Sequence, residues 1–390
     1  MKINIVKPFL PSLSELETEF TECLKSGMVT NNSQYVRELE SNLHKFYKSN
    51  LKPLTFSNGE MALFSLIQAY KLKLGYGPLD SFDVLVPSFT FAGTINAILM
   101  NNLRPVFCDV DGGFTLDIKK LNSNYSSLID DLDPYIPNIK LMVCVGAYGN
   151  LPNIDLVRKF SEENDIKVIF DNAPAFGSTY KNKFTCNHGF SEIYSFHASK
   201  IFSTMEGGGA ITNDPDIHNS LIKLRDFGQY EKVRGNVDVP GLNSKMQEIS
   251  ALVGIKNLEK VDFILNNRKN NIERYKEFFG SKENSEFFNV MDVSTDVDCT
   301  YLYYPIVLKE EATPFVNYMQ DNNIMVRRYY TAVHELDLYK NKYMSLDLSY
   351  TNEIKDKVVS IPIHTIMKNE EMDYLFETVN NFFKNEKSTS

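Results

Sequence analysis

Short runs of β-branched and aromatic residues alternate with longer amphipathic stretches along the first two-thirds of the chain. Apolar runs at residues 53–56, 83–86, 104–108, 140–145, 167–170 and 192–196 read as strands. Between them, residues 60–72, 94–101, 154–164 and 215–224 carry apolar positions at helical spacing. Strands alternating with helices predict βαβ units and a mainly parallel sheet, whose ligands sit at the carboxyl ends of the strands. After Asn243 the pattern changes. Ile249, Leu252, Val253, Ile255, Leu258 and Val261 recur at roughly helical spacing, which predicts one nearly uninterrupted helix over residues 245–279 with Gly280 as its stop. A strand-like run at 301–308, a helix near 313–322 and a terminal helix from 369 to about 384 follow, ahead of a frayed EKSTS tail. The expected organisation is an N-terminal segment with a large domain over 1–244, a connecting helix over 245–280, and a small α+β domain over 281–390. No internal repeat or low-complexity segment breaks this order.

Composition narrows the function classes. With 390 residues, 43% of them apolar and 23% charged, the chain is long enough for two domains and ordinary enough to fold throughout. A formal charge of −9 argues against a nucleic-acid surface, though not against a local basic pocket. No apolar run reaches the length of about 18 residues that a membrane span needs. The opening MKINIVKPFLPSL is interrupted by Lys7 and two prolines and lacks the apolar core of a signal peptide. Cys23, Cys108, Cys144, Cys186 and Cys299 are scattered without a CxxC pair, which predicts packing roles and fits a reducing cytoplasm.

Three segments carry candidate chemistry. In EIYSFHASKIFSTMEGGGAIT, a strand ends near Phe196 and delivers Lys200 on a turn among small and apolar residues, ahead of Gly207, Gly208 and Gly209. A lysine is usually a solvated charge. One that forms a Schiff base needs a desolvated site, because its free pKa of about 10.4 keeps it protonated in water. Ser195 on the same strand can donate its hydroxyl to a phosphate oxygen. In KVIFDNAPAFGSTY, the apolar run Val168, Ile169, Phe170 places Asp171 at a strand's carboxyl end. It reads either as a cap for the next turn or as a carboxylate beside a pyridinium nitrogen, whose protonated form it favours. In FSNGEMAL, Gly59 ends a strand and opens a helix, and exposed amides at a helix N-terminus form a phosphate site.

Together with VTNNSQYVRELESNL, VPSFTFAGTINAI, PVFCDVD, AYGN and GLNSKMQEISALVGIKNLEKVD, these segments resemble, in order and over nearly the whole chain, the DegT/DnrJ/StrS family of sugar-nucleotide aminotransferases. The resemblance implies an α/β fold of the aspartate-aminotransferase type (pyridoxal-phosphate fold type I), with a mainly parallel sheet flanked by helices and a smaller α+β domain. It implies pyridoxal 5'-phosphate as cofactor, carried by Lys200, with Asp171 at the pyridine nitrogen. Ser195 and the backbone of Gly59, Glu60 and Met61 would then be the phosphate ligands. Phe91 falls where the family sets an aromatic ring against the pyridine face, with core packing as the other reading. Asn243 matches an asparagine that reaches the neighbouring subunit's phosphate, which implies a homodimer with shared sites. Pro174 stands where many relatives have Gln or His, and Glu60 stands where Thr is usual.

By the same resemblance the reaction moves an amino group from L-glutamate, leaving 2-oxoglutarate, to a nucleotide-linked 4-keto-6-deoxy sugar. KPFLPSL and VTNN look most like the enzymes that form dTDP-4-amino-4,6-dideoxyglucose for cell-surface polysaccharide such as the O-antigen of lipopolysaccharide. Amination at C3 of a 3-keto sugar is an alternative. A sugar dehydratase of the same scaffold would carry histidine where Lys200 stands, and a non-catalytic sensor would not need Lys200, Asp171 and Ser195 together. For substrate, the cluster of Arg327, Arg328, Tyr329 and Tyr330 offers Arg328 and Tyr330 as contacts to diphosphate or sugar, and His197 reads as a hydrogen-bonding support beside the strand end.

Overall fold

Seven strands form the large sheet of the computed structural model, which describes residues 1–130, 138–229 and 235–389. In chain order they are β1 (Leu54–Phe56), β2 (Asp83–Pro87), β3 (Arg104–Cys108), β4 (Ile139–Val145), β5 (Lys167–Asp171), β6 (Ser191–Ser195) and β7 (Gly208–Ile211). Their spatial order is β1-β7-β6-β5-β4-β2-β3. Strands β2 to β6 are parallel, and β7 runs against both of its neighbours, β6 and β1. The mainly parallel α/β sheet expected from the alternation of strands and helices is therefore present.

Successive side chains on a strand point to opposite faces, and here both faces are dry. Met142, Cys144, Val168, Phe170 and Tyr194 enter one apolar cluster, whereas Leu141, Val143, Ile169 and Ile193 enter the other. The second cluster is covered by the helices Gly59–Lys73 and Ala92–Met100, through Ala62, Leu63, Leu66, Ile95 and Ile98. Two residues beyond Ile169 and Ile193 on that same face come Asp171 and Ser195. The strand period thus sends both to one edge of the sheet, beneath the starts of the two helices.

The single helix expected over 245–279 is two helices, Glu248–Leu258 and Val261–Phe279, parted at Lys260 (φ −107°, ψ 13°). The first is buried nearly all round, packs on the helices Leu13–Ser26 and Gln34–Tyr47, and is pinned by Asn257 Nδ2 to the Ser203 carbonyl at 2.8 Å. Its Glu248 carboxylate accepts from the amides of Ser33, Tyr35 and Val36 and so caps the helix Gln34–Tyr47 from a distance. The second carries Ile272, Tyr275 and Phe279 toward the small sheet, where Phe279 stacks on Tyr304 and Tyr275 packs against it at a tilt. That sheet is antiparallel, β8 (Phe288–Val290), β9 (Tyr304–Leu308) and β10 (Val358–Ile361) in that spatial order. The last helix runs on to Thr389 instead of fraying near 384.

The first residues do not stay with the large sheet. Ile3 bridges Ile324 of the C-terminal part, Lys7 faces Glu371 at 3.9 Å, and the Phe9 carbonyl accepts from Asn257. The opening segment straps the small sheet's layer to the large one.

Candidate active site

At the carboxyl ends of β5 and β6 lies a cleft of about 500 Å³. Beyond β6 the chain turns in a tight loop closed by Phe196 N–H to Gly207 O and Ala198 N–H to Met205 O, each at 2.8 Å. Lys200 sits inside that loop, its amide donating to the His197 carbonyl at 2.9 Å. The rings of Phe196 and Phe202, from the same loop, pack against each other and against Phe176. Protein packed around the Lys200 amine lowers its proton affinity below that of a free lysine, with the Asp171 carboxylate pulling the other way. The amine is correspondingly more available as a nucleophile.

Asp171 is 6% exposed. Burial raises its pKa, opposed by the hydrogen bonds it accepts and by the Lys200 charge. Thr94 Oγ1 donates to Oδ2 at 2.8 Å and the Ala173 amide donates to Oδ1 at 3.2 Å. Both residues line the same cleft, so the amine and the carboxylate share one cavity.

The phosphate turn follows β1. Asn58 caps the helix Gly59–Lys73 by accepting from the Met61 amide at 2.8 Å. That bond uses up one of the three amides expected to cradle a phosphate, and Met61 does not line the cleft; Gly59 and Glu60 do. A Cβ on Gly59 would fall 2.8 Å from Ser195 Cβ, so only glycine lets the turn close on Ser195. Phe91 is 63% exposed, with its ring lying over Gly93 at the start of the helix Ala92–Met100, so it does not pack in the core.

One expected contact lies elsewhere, and one expected of a neighbouring subunit lies outside this chain's own cleft. Arg328 is outside the cleft, because its guanidinium turns to Asp356 at 2.9 Å and Glu311 at 3.3 Å on the small layer's surface. Asn243 bridges the Asp226 backbone and does not reach its own chain's cleft. Tyr330 does line the cleft, with its ring 5.0 Å from that of Tyr148. Tyr329 of the same cluster lines it too, and sequence reasoning missed Thr94, Val6, Leu302, Tyr303 and Glu206, all of which line the same space. Thr94 stands one helical turn from Phe91 and could have been found from that spacing; Tyr303 carries no local signal.

The sequence profile of the DegT/DnrJ/EryC1/StrS aminotransferase family matches residues 13–380. The chain belongs to that family. Similar proteins include the dTDP-4-amino-4,6-dideoxy-D-glucose transaminase of Shigella dysenteriae, 27% identical over 382 residues that cover 97% of this chain and 98% of that protein. GDP-perosamine synthase of Escherichia coli O157:H7 is 27% identical over 387 residues, covering 98% and 99%. Among solved structures, Helicobacter pylori PseC, an aminotransferase involved in the biosynthesis of pseudoaminic acid, shares the fold with a TM-score of 0.86 over 99% of this chain and 100% of that one, at 21% identity. The enzyme is a sugar-nucleotide aminotransferase that depends on pyridoxal phosphate. Its cleft fits that cofactor: a partly desolvated amine, a buried carboxylate and a glycine turn closed on a serine hydroxyl all border one cavity.

Proposed function

We propose that this aminotransferase moves the amino group of L-glutamate to a nucleotide-linked 4-keto-6-deoxy sugar, forming dTDP-4-amino-4,6-dideoxyglucose. The observation that carries the reading is the placement of Lys200 and Asp171 on one cleft. The name of the Shigella relative supports the product. Pyridoxal phosphate, when bound, supplies an aldehyde and an electron-withdrawing ring that let one site serve both halves of the exchange. Lys200 holds the cofactor and, once freed, takes the proton from the donor's α-carbon and returns it one position away. Asp171 keeps a proton at the ring nitrogen, with Thr94 and Ala173 fixing the carboxylate. Ser195 Oγ and the first-turn amides of Gly59 and Glu60 bind the phosphate, Phe91 lies against the ring, and Tyr330 contacts the sugar.

Among the described residues lining the cleft, Lys200 and His197 are the cationic or cationisable ones, few for a cofactor and a substrate that are both anionic. We assign the missing contacts to a second copy of the chain, with Asn243 reaching the partner's phosphate. Phe227, Val237 and Leu242 around it are exposed apolar side chains that a partner would cover. No helix among the described residues is long and apolar enough to cross a membrane. The five cysteines are buried and free, which fits a reaction in a reducing cytoplasm.

The test is direct. Glutamate should convert the holoenzyme's cofactor spectrum stoichiometrically, and a panel of nucleotide 4-keto-6-deoxy sugars should then yield a product whose NMR spectrum shows nitrogen at C4. Nitrogen at C3 would overturn the substrate assignment. Lys200→Ala should lose its absorption band on dialysis and its turnover; turnover at the wild-type rate would remove Lys200 from the mechanism.

A further inference from the structure

Behind the phosphate turn, outside the cleft, lies a buried ion pair with no part in the chemistry described above. Arg225 Nη1 donates to Glu40 Oε1 at 2.6 Å, and the two side chains are only 10% and 6% exposed. The pair also grips one residue of β1. Glu40 Oε1 accepts from the Thr55 amide and hydroxyl, each at 3.0 Å, and Arg225 Nη1 donates to the Thr55 carbonyl at 3.1 Å.

Strand β1 is short and stands at the edge of the large sheet, with β7 as its one neighbour. An edge strand presents outward amides and carbonyls that a further strand would otherwise occupy. At Thr55 the carboxylate and the guanidinium take those positions. Two residues on, the Ser57 amide donates to the Ser244 carbonyl at 2.7 Å, and the Ser244 amide donates to the Arg225 carbonyl at 3.1 Å. Arg225 therefore holds the root of the turn twice, by its side chain through Thr55 and by its backbone through Ser244. On the other side, a Cβ at Gly208 would lie 2.4 Å from the carbonyl of Asn58, so the turn is pressed directly against β7.

A buried ion pair contributes little net stability, because both charges give up their water. What this one adds is position. We propose that Glu40 and Arg225 are positioning residues for the cofactor's phosphate, holding the amides of Gly59 and Glu60 at the spacing from Ser195 that a phosphate needs. The proposal rests on the reading above in which that turn binds the phosphate.

The test compares two probes on apoprotein prepared from the holoenzyme: pyridoxal 5'-phosphate, and pyridoxal, which lacks the phosphate. Affinities are measured by absorbance for the wild type, for Arg225→Lys, and for the double variant Glu40→Gln with Arg225→Gln, with a melting curve for each. The phosphorylated probe should bind the variants about tenfold or more weakly, the loss expected for a displaced charge-assisted hydrogen bond. Pyridoxal should bind them within about twofold of the wild type, since no phosphate contact is at stake. Equal losses for both probes, or no loss for either, in a variant that melts cooperatively would overturn the proposal. Arg225→Lys keeps the charge but not the reach to both partners, and it decides the matter should the double variant not fold. A wild type that binds the two probes equally well would instead overturn the phosphate reading of the turn.

Discussion

Both oxygens of the Asp171 carboxylate are spoken for, one by Thr94 and one by the Ala173 amide. Their orientation is therefore set before any ligand arrives, which is what a group must have to act on one ring atom. Thr94→Val should lower kcat by about five- to tenfold, the worth of one net hydrogen bond, and leave cofactor content unchanged. Asp171→Asn should keep part of the cofactor and lower kcat by about 10²- to 10⁴-fold. Single-turnover kinetics with glutamate measure both, and a fully active Asp171→Asn would remove the carboxylate from its role. The placement of Asp171 was legible because it ends a short apolar strand, and strand period carries it and Ser195 to the same edge, whereas Lys200 is placed by the loop beyond β6. Arg328 was misread for the opposite reason. Sequence shows that an arginine is near tyrosines, but not that Asp356 and Glu311 wait for it on the neighbouring surface.

Among elements, the turn from β1 into the helix Gly59–Lys73 is tightly built. Gly59→Ala would drive a methyl group to within 2.8 Å of Ser195 Cβ and 3.0 Å of its Cα, so the turn must open. Cofactor affinity should fall about tenfold or more, while the melting temperature shifts by only a few degrees, about 1 kcal/mol. Dialysis followed by absorbance, beside a thermal melt, measures the two; an unchanged dissociation constant would show that Ser195 and the turn need not meet. The sequence marked this turn by its glycine but could not show that Asn58 already occupies the Met61 amide. Hydrophobic period likewise foretold helix over 245–279 without foretelling the break. Period reports which positions are buried, and it is silent on the change of partner from the large sheet's helices to the small sheet between Leu258 and Val261.

At the scale of the whole molecule, the contact between the two sheets' layers contains an acid out of place. Asp111, in the loop after β3, accepts from the Gly113 and Thr115 amides, and burial pushes its pKa up to about 6. Beside it, Asp292 from the C-terminal part donates its amide to the Gly112 carbonyl at 3.0 Å. The folded state therefore keeps a proton that the unfolded chain has released above its ordinary value of 3.8. The stabilisation is complete below that value and is lost as pH rises through about 6. Melting temperatures taken across this window should decline with pH for the wild type relative to Asp111→Asn, and parallel curves would refute the assignment. The architecture itself was legible from the alternation of strand and helix. The opening segment was not, because nothing local ties Ile3 to Ile324. That pairing has a consequence for how the polypeptide is made. Ile3 leaves the ribosome well ahead of Ile324 and cannot take its place until that residue has followed it out. Val6, a wall of the cleft, is thus set only once the chain through residue 324 has emerged, and the cleft is open on that side until then.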